Sequence, residues 1–195
     1  MENRHAVTDR DVVKHLIKRL ARIDASDGWR ADLNPAQRAA LDYLSRANRF
    51  SRQPSHLASY LGSTRGTVSQ TLKSLAAKGY VEAVTPGSDK RTIAYQLTES
   101  GRKLATTSDL LSESLDQLSA GSLRDIATQL RHVLGAAIHT NRQKPFGLCK
   151  DCTYFQPKNG NGHCRLLNEE LGVFERDQIC HEQLPRSAGA SATSA

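Results

Sequence analysis

No cysteine occurs before residue 149, and only one methionine and one tryptophan occur among the 195 residues. Aromatics make up 5% of the chain and hydrophobic residues 38%. That is lean for a large self-contained enzyme core, and it suits a helical protein whose core a partner completes. No apolar run approaches the ~20 residues a membrane helix needs. The opening MENRHAVTDRD lacks the apolar centre of a signal peptide, so the expected location is cytoplasmic. A glycine-rich phosphate loop, paired catalytic carboxylates, a nucleophile spaced with its base and the Cys-x3-Cys-x2-Cys triplet of radical chemistry are all missing. An enzyme is therefore not expected.

The charge is uneven. Residues 1–145 hold 22 Lys/Arg against 14 Asp/Glu, a balance of +8, and residues 146–195 hold 5 against 6, a balance of −1. A basic excess confined to one part points to phosphate neutralisation there.

That part is centred on residues 55–101. Leu57, Ala58 and Leu61 predict one apolar helix face, which Gly62 ends. Ser63 or Thr64 can cap a second helix, in which Val68, Leu72, Leu75 and Ala76 recur at helical spacing. Its other side offers Arg65, Thr67, Ser69, Gln70 and Lys73, groups able to read base edges and grip phosphate in a major groove. After Lys78-Gly79, Tyr80–Val84 and Thr92–Leu97 read as paired strands around a loop carrying Asp89, Lys90 and Arg91. Such a hairpin is a wing, and Arg91 can enter the minor groove. The expected architecture is mainly α with a small β-hairpin wing (α+β).

The helix TRGTVSQTLKSLAAKGYV, the wing SDKRTIAYQLTESG and the phrase Leu33-Asn34-Pro35-Ala36-Gln37 resemble the MarR family of dimeric winged-helix transcription factors. The likeness covers roughly residues 10 to 142. It implies that Asp89 orients the wing and Arg91 contacts DNA, and that an N-terminal helix helps to build a homodimer. In many members a small phenolic or lipophilic effector sits in the cleft between dimer helices.

Elsewhere, a stripe from Val12 to Ile23 predicts a buried helix over 10–23, followed by a loop at 24–28 with Trp29 packed nearby. Asn34 is expected to cap a helix entered by Pro35. Asn48 to Pro54 reads as a polar link in which Arg49 and Arg52 are candidate phosphate contacts. One helix is expected from Glu99 through Leu118, then a break at Ala120-Gly121-Ser122 with Ser122 as cap. A strongly amphipathic helix from Leu123 to Ile138 follows, suited to a two-fold interface. The expected divisions are 1–32, an N-terminal dimerisation helix and loop; 33–101, the winged helix-turn-helix; 102–143, further dimerisation helices; 144–184, a cysteine module; and 185–195, a disordered tail.

The module carries Cys149-x2-Cys152-x11-Cys164-x15-Cys180. Four clustered cysteines in a cytosolic chain favour metal ligation over disulfides, and so small a segment needs a staple. The close pair is placed on one turn, and the other two are expected on separate loops, one after a short helix around 166–174. A [4Fe–4S] cluster accepts ligands singly from spread loops, and the arrangement is similar to small high-potential-type cluster modules. Zn²⁺, which usually draws on two close pairs, is the alternative. His163 and His181 flank the cysteines as neighbours or substitute ligands. The function expected is a homodimeric regulator of double-stranded DNA, a repressor on a palindromic operator, with the cluster sensing redox, iron or gas signals. The alternative is a regulator answering to a small molecule, with a structural zinc site.

Overall fold

Asn34 sets the start of the second helix. Its side chain accepts the Gln37 amide at 2.9 Å, while the Gln37 side chain accepts the Asn34 amide at 3.1 Å, with Pro35 in the first turn. The computed structural model describes residues 6–27, 32–86, 92–158 and 160–186. Among the described residues the α-helices are α1 (Asp9–Asp27), α2 (Pro35–Arg46), α3 (Pro54–Tyr60), α4 (Arg65–Ala77), α5 (Glu99–Ala105), α6 (Leu110–Leu115) and α7 (Ala120–Thr140). Strands β1 (Val81–Val84) and β2 (Ala94–Leu97) form the hairpin, and β3 (Gly147–Leu148), β4 (Phe155–Lys158), β5 (Asn161–Cys164), β6 (Glu169–Leu171) and β7 (Ile179–Cys180) form the C-terminal part. The molecule is thus mainly helical with small antiparallel sheets, as expected. Among the described residues no helix is long and apolar enough to cross a membrane.

Leu41, Tyr43, Leu57, Leu72, Leu75, Val81 and Leu97 are buried in one cluster that joins α2, α3, α4 and the hairpin. Burying each such side chain contributes about 2 kcal/mol. The hairpin runs in register from Val81 opposite Leu97 to Val84 opposite Ala94. Thr98 fastens its base: the hydroxyl donates to the Gly79 carbonyl at 2.6 Å and accepts the Gly101 amide at 3.1 Å. A Cβ at Gly101 would lie 1.9 Å from the Tyr80 carbonyl oxygen, so only glycine fits there.

Several boundaries differ from expectation. α1 runs on through Asp27 instead of ending at a loop. Among the described residues none of its side chains is buried, and Val13, Leu16 and Leu20 are all exposed. The helix expected from Glu99 through Leu118 is two helices. The Thr106 and Thr107 hydroxyls take the last carbonyls of α5, and Asp109 then caps α6 by accepting the Ser112 amide at 2.8 Å. Ser119, not Ser122, caps α7, and Ala120 and Gly121 lie inside the first turn. α7 likewise has no buried residue. Ala76 faces solvent and is not part of the α4 stripe.

The C-terminal part is built of strands. The helix expected around 166–174 is absent: Asn168, at φ 55°, turns the chain and Glu169–Leu171 returns beside β5. β4 and β5 are joined by two residues, with Gly160 at φ 77°. The tail is tied at its start, since Pro185 bridges to Cys152; residues 187–195 lie outside the described residues. This part is not a detached appendage. Ile179 enters the same apolar cluster as α2 and α3, with Phe146 and Leu148 packed against it. Ala47 bridges to Ile179, and the Asn48 amide donates to its carbonyl at 2.9 Å.

Candidate nucleic-acid interface and cysteine centre

Thr64 begins α4. Its hydroxyl accepts the Thr67 amide at 3.1 Å and meets the Thr67 hydroxyl at 2.8 Å. Val68, Leu72 and Leu75 anchor the helix in the core. Arg65, Thr67, Gln70 and Lys73 consequently stand exposed along its outer side, and Ser69 is half-buried at the edge. The far end is held by Lys78, whose ammonium meets the Asp32 carbonyl and sits 3.2 Å from its carboxylate. Gln37 donates to Ser74 at 2.8 Å, which locks α4 to α2. A rigid helix presenting two cations and an amide from one side can lie in a major groove. Asp89, Lys90, Arg91 and Trp29 lie outside the described residues.

Arg49 and Arg52 are not placed for phosphate. Arg49 pairs with Glu175, stands 3.4 Å from Glu169 and donates to the Glu170 carbonyl at 2.8 Å. Arg52 is turned inward, its Nε donating to the Ala47 carbonyl at 3.0 Å. The expected polar link is a 3-10 turn, Arg49–Ser51, in which Ser51 and the preceding Asn48 are fully buried. Ser51 also gives its carbonyl to the Tyr43 hydroxyl at 2.7 Å. Burial pushes that phenol well above its usual range.

The turn faces the cysteines. All four are free; Cys149, Cys152 and Cys180 are buried and Cys164 is half-buried. Cys149, Cys164 and Cys180 share one cluster with Leu171, Phe50 and Phe155. Cys152 sits on the same turn as Cys149, its amide donating to the Cys149 carbonyl at 3.0 Å. Cys164 and Cys180 end strands rather than lying on loops. N–H groups point at the sulfurs: Asn48 Nδ2 at 3.2 Å from Cys149 Sγ, and the Leu184 amide at 3.4 Å from Cys152 Sγ. Cys149 and Cys180 shift in opposite directions, chiefly through their mutual interaction. It raises the Cys149 thiol, with burial adding, and lowers Cys180 against the opposing effect of burial, helped by the Glu182 amide, Asn48 and Ser51. Among the described residues, however, no group of three or more His, Cys, Asp or Glu side chains is arranged to hold a metal ion.

His181 lies between the two parts. It stacks on His56 with ring centres 3.5 Å apart, and its Nδ1 is 3.3 Å from Ser51 Oγ. His163 Nδ1 is buried without a partner. Sequence reasoning missed Asn48, Phe50 and Ser51 as the surroundings of the sulfurs, because a run of polar residues carries no local sign of its burial. A separate cleft of about 460 Å³ opens between α1, α2 and α6, lined by Ala25, Arg38, Asp42, Asp109 and Leu115 among others. Arg38 lies 3.5 Å from Asp109 across it.

Residues 31–92 match the model of the MarR family, and all four cysteines lie outside that match. No curated protein matches the sequence. Among solved structures, the fold is similar to a MepR–DNA complex of S. aureus, with 20% identity and a TM-score of 0.52, covering 68% of this chain and 99% of that one. It is similar to Streptococcus pneumoniae FabT in complex with DNA, with 20% identity and a TM-score of 0.52, covering 67% and 96%. The apo form of wild-type MarR from E. coli gives 21% identity and a TM-score of 0.50, covering 67% and 99%. Residues 31–92 thus match the MarR family model, and the chain that carries them has a fold similar to the winged-helix fold of those structures.

Proposed function

We propose that this chain is a homodimeric, DNA-binding transcription regulator, a repressor on a palindromic operator. The observation that carries this reading is α4, whose apolar side is buried while Arg65, Thr67, Gln70 and Lys73 stand clear of the protein. Arg65, Thr67, Ser69 and Gln70 address base edges, with Lys73 on phosphate. Asp89, Lys90 and Arg91 belong to the wing by sequence, with Arg91 in the minor groove. The DNA complexes recorded for the similar MepR and FabT structures support this assignment. The dimer is supported by the apolar stripes of α1 and α7, which stay exposed among the described residues. A second copy buries both and sets two reading helices about one DNA turn apart. The test is selection of binding sequences from random duplex by the full chain. Recovery of an inverted repeat supports the reading, and recovery of no preferred sequence overturns it.

The cysteine module belongs to the same proposal as a metal centre, with Cys149, Cys152, Cys164 and Cys180 as ligands and a [4Fe–4S] cluster as the group held, sensing redox, iron or gas signals. Cys164 and Cys180 arrive singly from different strands, which suits a cluster with separate corners. Free sulfurs served by N–H donors suit thiolate ligation, and a part whose own interior is mostly cysteine and Leu171 suits a staple. Such a group would supply electron storage or a bond network that closes the module. One observation favours zinc instead: Cys149 and Cys152 share a tight turn of the knuckle kind. Anaerobic purification decides, since iron with sulfide supports the cluster and zinc in a colourless protein supports the alternative. In that alternative a small molecule bound in the cleft between α1, α2 and α6 is the effector.

A further inference from the structure

The cysteine module follows α7 in the chain, and α7 is the helix offered to a second copy. The contacts lead elsewhere. From the sulfur of Cys149 a hydrogen-bonded chain runs into the turn after α2. Asn48 Nδ2 donates to Cys149 Sγ at 3.2 Å, Ser51 Oγ donates to Asn48 Oδ1 at 2.7 Å, and the amide of His181, next to Cys180, donates to Ser51 Oγ at 2.9 Å. Its two linking side chains are internal: Asn48 and Ser51 are each 0% exposed. A buried amide or hydroxyl that loses its partner must find another, so the turn cannot ignore a change at the sulfur.

The same turn has two outputs. The Arg52 carbonyl accepts the Tyr95 amide at 3.0 Å, which ties the turn to wing strand β2. The Gln53 carbonyl accepts the His56 and Leu57 amides at 3.0 and 3.1 Å, which starts α3, the helix packed on α4. On the outer side Arg49 clamps the module through Glu169, Glu175 and the Glu170 carbonyl. α7 has no comparable hold on the cysteines among the described residues.

We propose that residues 48–52 are the transmission element between the cysteine sulfurs and the DNA-reading surface, acting within one protomer on the wing and α3 rather than through the separation of the two copies. The proposal rests on the reading of the chain as a winged-helix DNA binder with a reactive cysteine module. Occupied or charged sulfurs hold Asn48 in place; an altered sulfur releases it, and β2 and α3 move with the turn. Arg49 keeps the two parts in register while this happens.

Amide hydrogen exchange on the full chain tests it, comparing protein loaded with Zn²⁺ alone, the same protein after chelator, and Cys149→Ala, with metal content measured on each sample. Exchange is expected to rise about tenfold over 48–57 and 94–97 on chelation and in Cys149→Ala, and to stay unchanged over 120–140. Changes confined to 9–27 and 120–140, or none over 48–57, overturn the proposal. Absence of bound zinc counts against the metal reading alone, because the Cys149→Ala comparison still decides the coupling. Should that variant not fold, Arg49→Ala, on the exposed side of the clamp, serves instead. Faster exchange over 48–57 together with faster thiol labelling by a disulfide reagent supports the coupling, and unchanged rates of both overturn it.

Discussion

Asn48 Nδ2 lies 3.2 Å from Cys149 Sγ, although 101 positions separate the two in the chain. The same side chain accepts Ser51 Oγ at 2.7 Å, and its backbone amide reaches Ile179. Asn48→Ala removes a buried donor and a buried acceptor together. It is expected to cost about 2 kcal/mol, read as a lower urea midpoint at unchanged slope. A midpoint equal to that of the wild type would mean the module is not seated on this turn.

Gly101 sits where any side chain would strike the backbone of Tyr80. Gly101→Ala must push the start of α5 away from the base of the wing. The expected loss is about 1–3 kcal/mol, measured by denaturant unfolding, with weakened DNA binding as a consequence. Thr98→Ala is milder, removing one cap and one hydroxyl bond, at about 1 kcal/mol.

Leu130, Val133 and Leu134 of α7 are between 46% and 59% exposed in the single chain. Leu130→Glu therefore removes little from the protomer and much from a two-fold interface. Sedimentation is expected to show a dimer for the wild type and a monomer for Leu130→Glu at the same concentration. A variant that remains a dimer would place the interface elsewhere.

Acid should loosen the docking of the module. His56 is lowered from 6.5 to about 4, chiefly by burial and then by the neighbouring His181, with Glu182 opposing and Lys144 adding to the shift. Between those values the unfolded chain binds a proton that the folded one refuses. This contribution to stability is thus complete above about pH 6.5 and is lost as pH falls toward 4. Melting temperatures between pH 7.5 and 4.5 should fall in that window, and His56→Phe should flatten the fall.

The reading unit was legible because its signals are local. Asn34 and Pro35 cap α2, Val68, Leu72 and Leu75 repeat at helical spacing, and Thr98 and Gly101 mark the wing base. The C-terminal part was not, for two reasons. Asn168 in a left-handed turn converts a stretch of apparent helix into the return strand β6. Docking through Asn48, Ser51 and Arg49 depends on partners more than a hundred residues away, with no periodicity to announce them. Arg49 and Arg52 look like phosphate ligands in a linear string and prove to be an ion-pair clamp and an inward strut. The α5–α6 break shows the intermediate case. Its Thr106-Thr107-Ser108-Asp109 run is a readable stop and start, overridden by the leucine spacing that spans it.

The most direct test is the affinity of the full chain for its selected duplex, measured by fluorescence anisotropy across a range of salt, for the wild type and for Gln70→Ala and Lys73→Ala. Steep salt dependence is expected, with Gln70→Ala losing about 1–3 kcal/mol on the selected sequence and little on random duplex. Lys73→Ala should reduce the salt slope by about one on both. Equal binding of selected and random duplex, unaltered by either change on the exposed side of α4, would contradict the account.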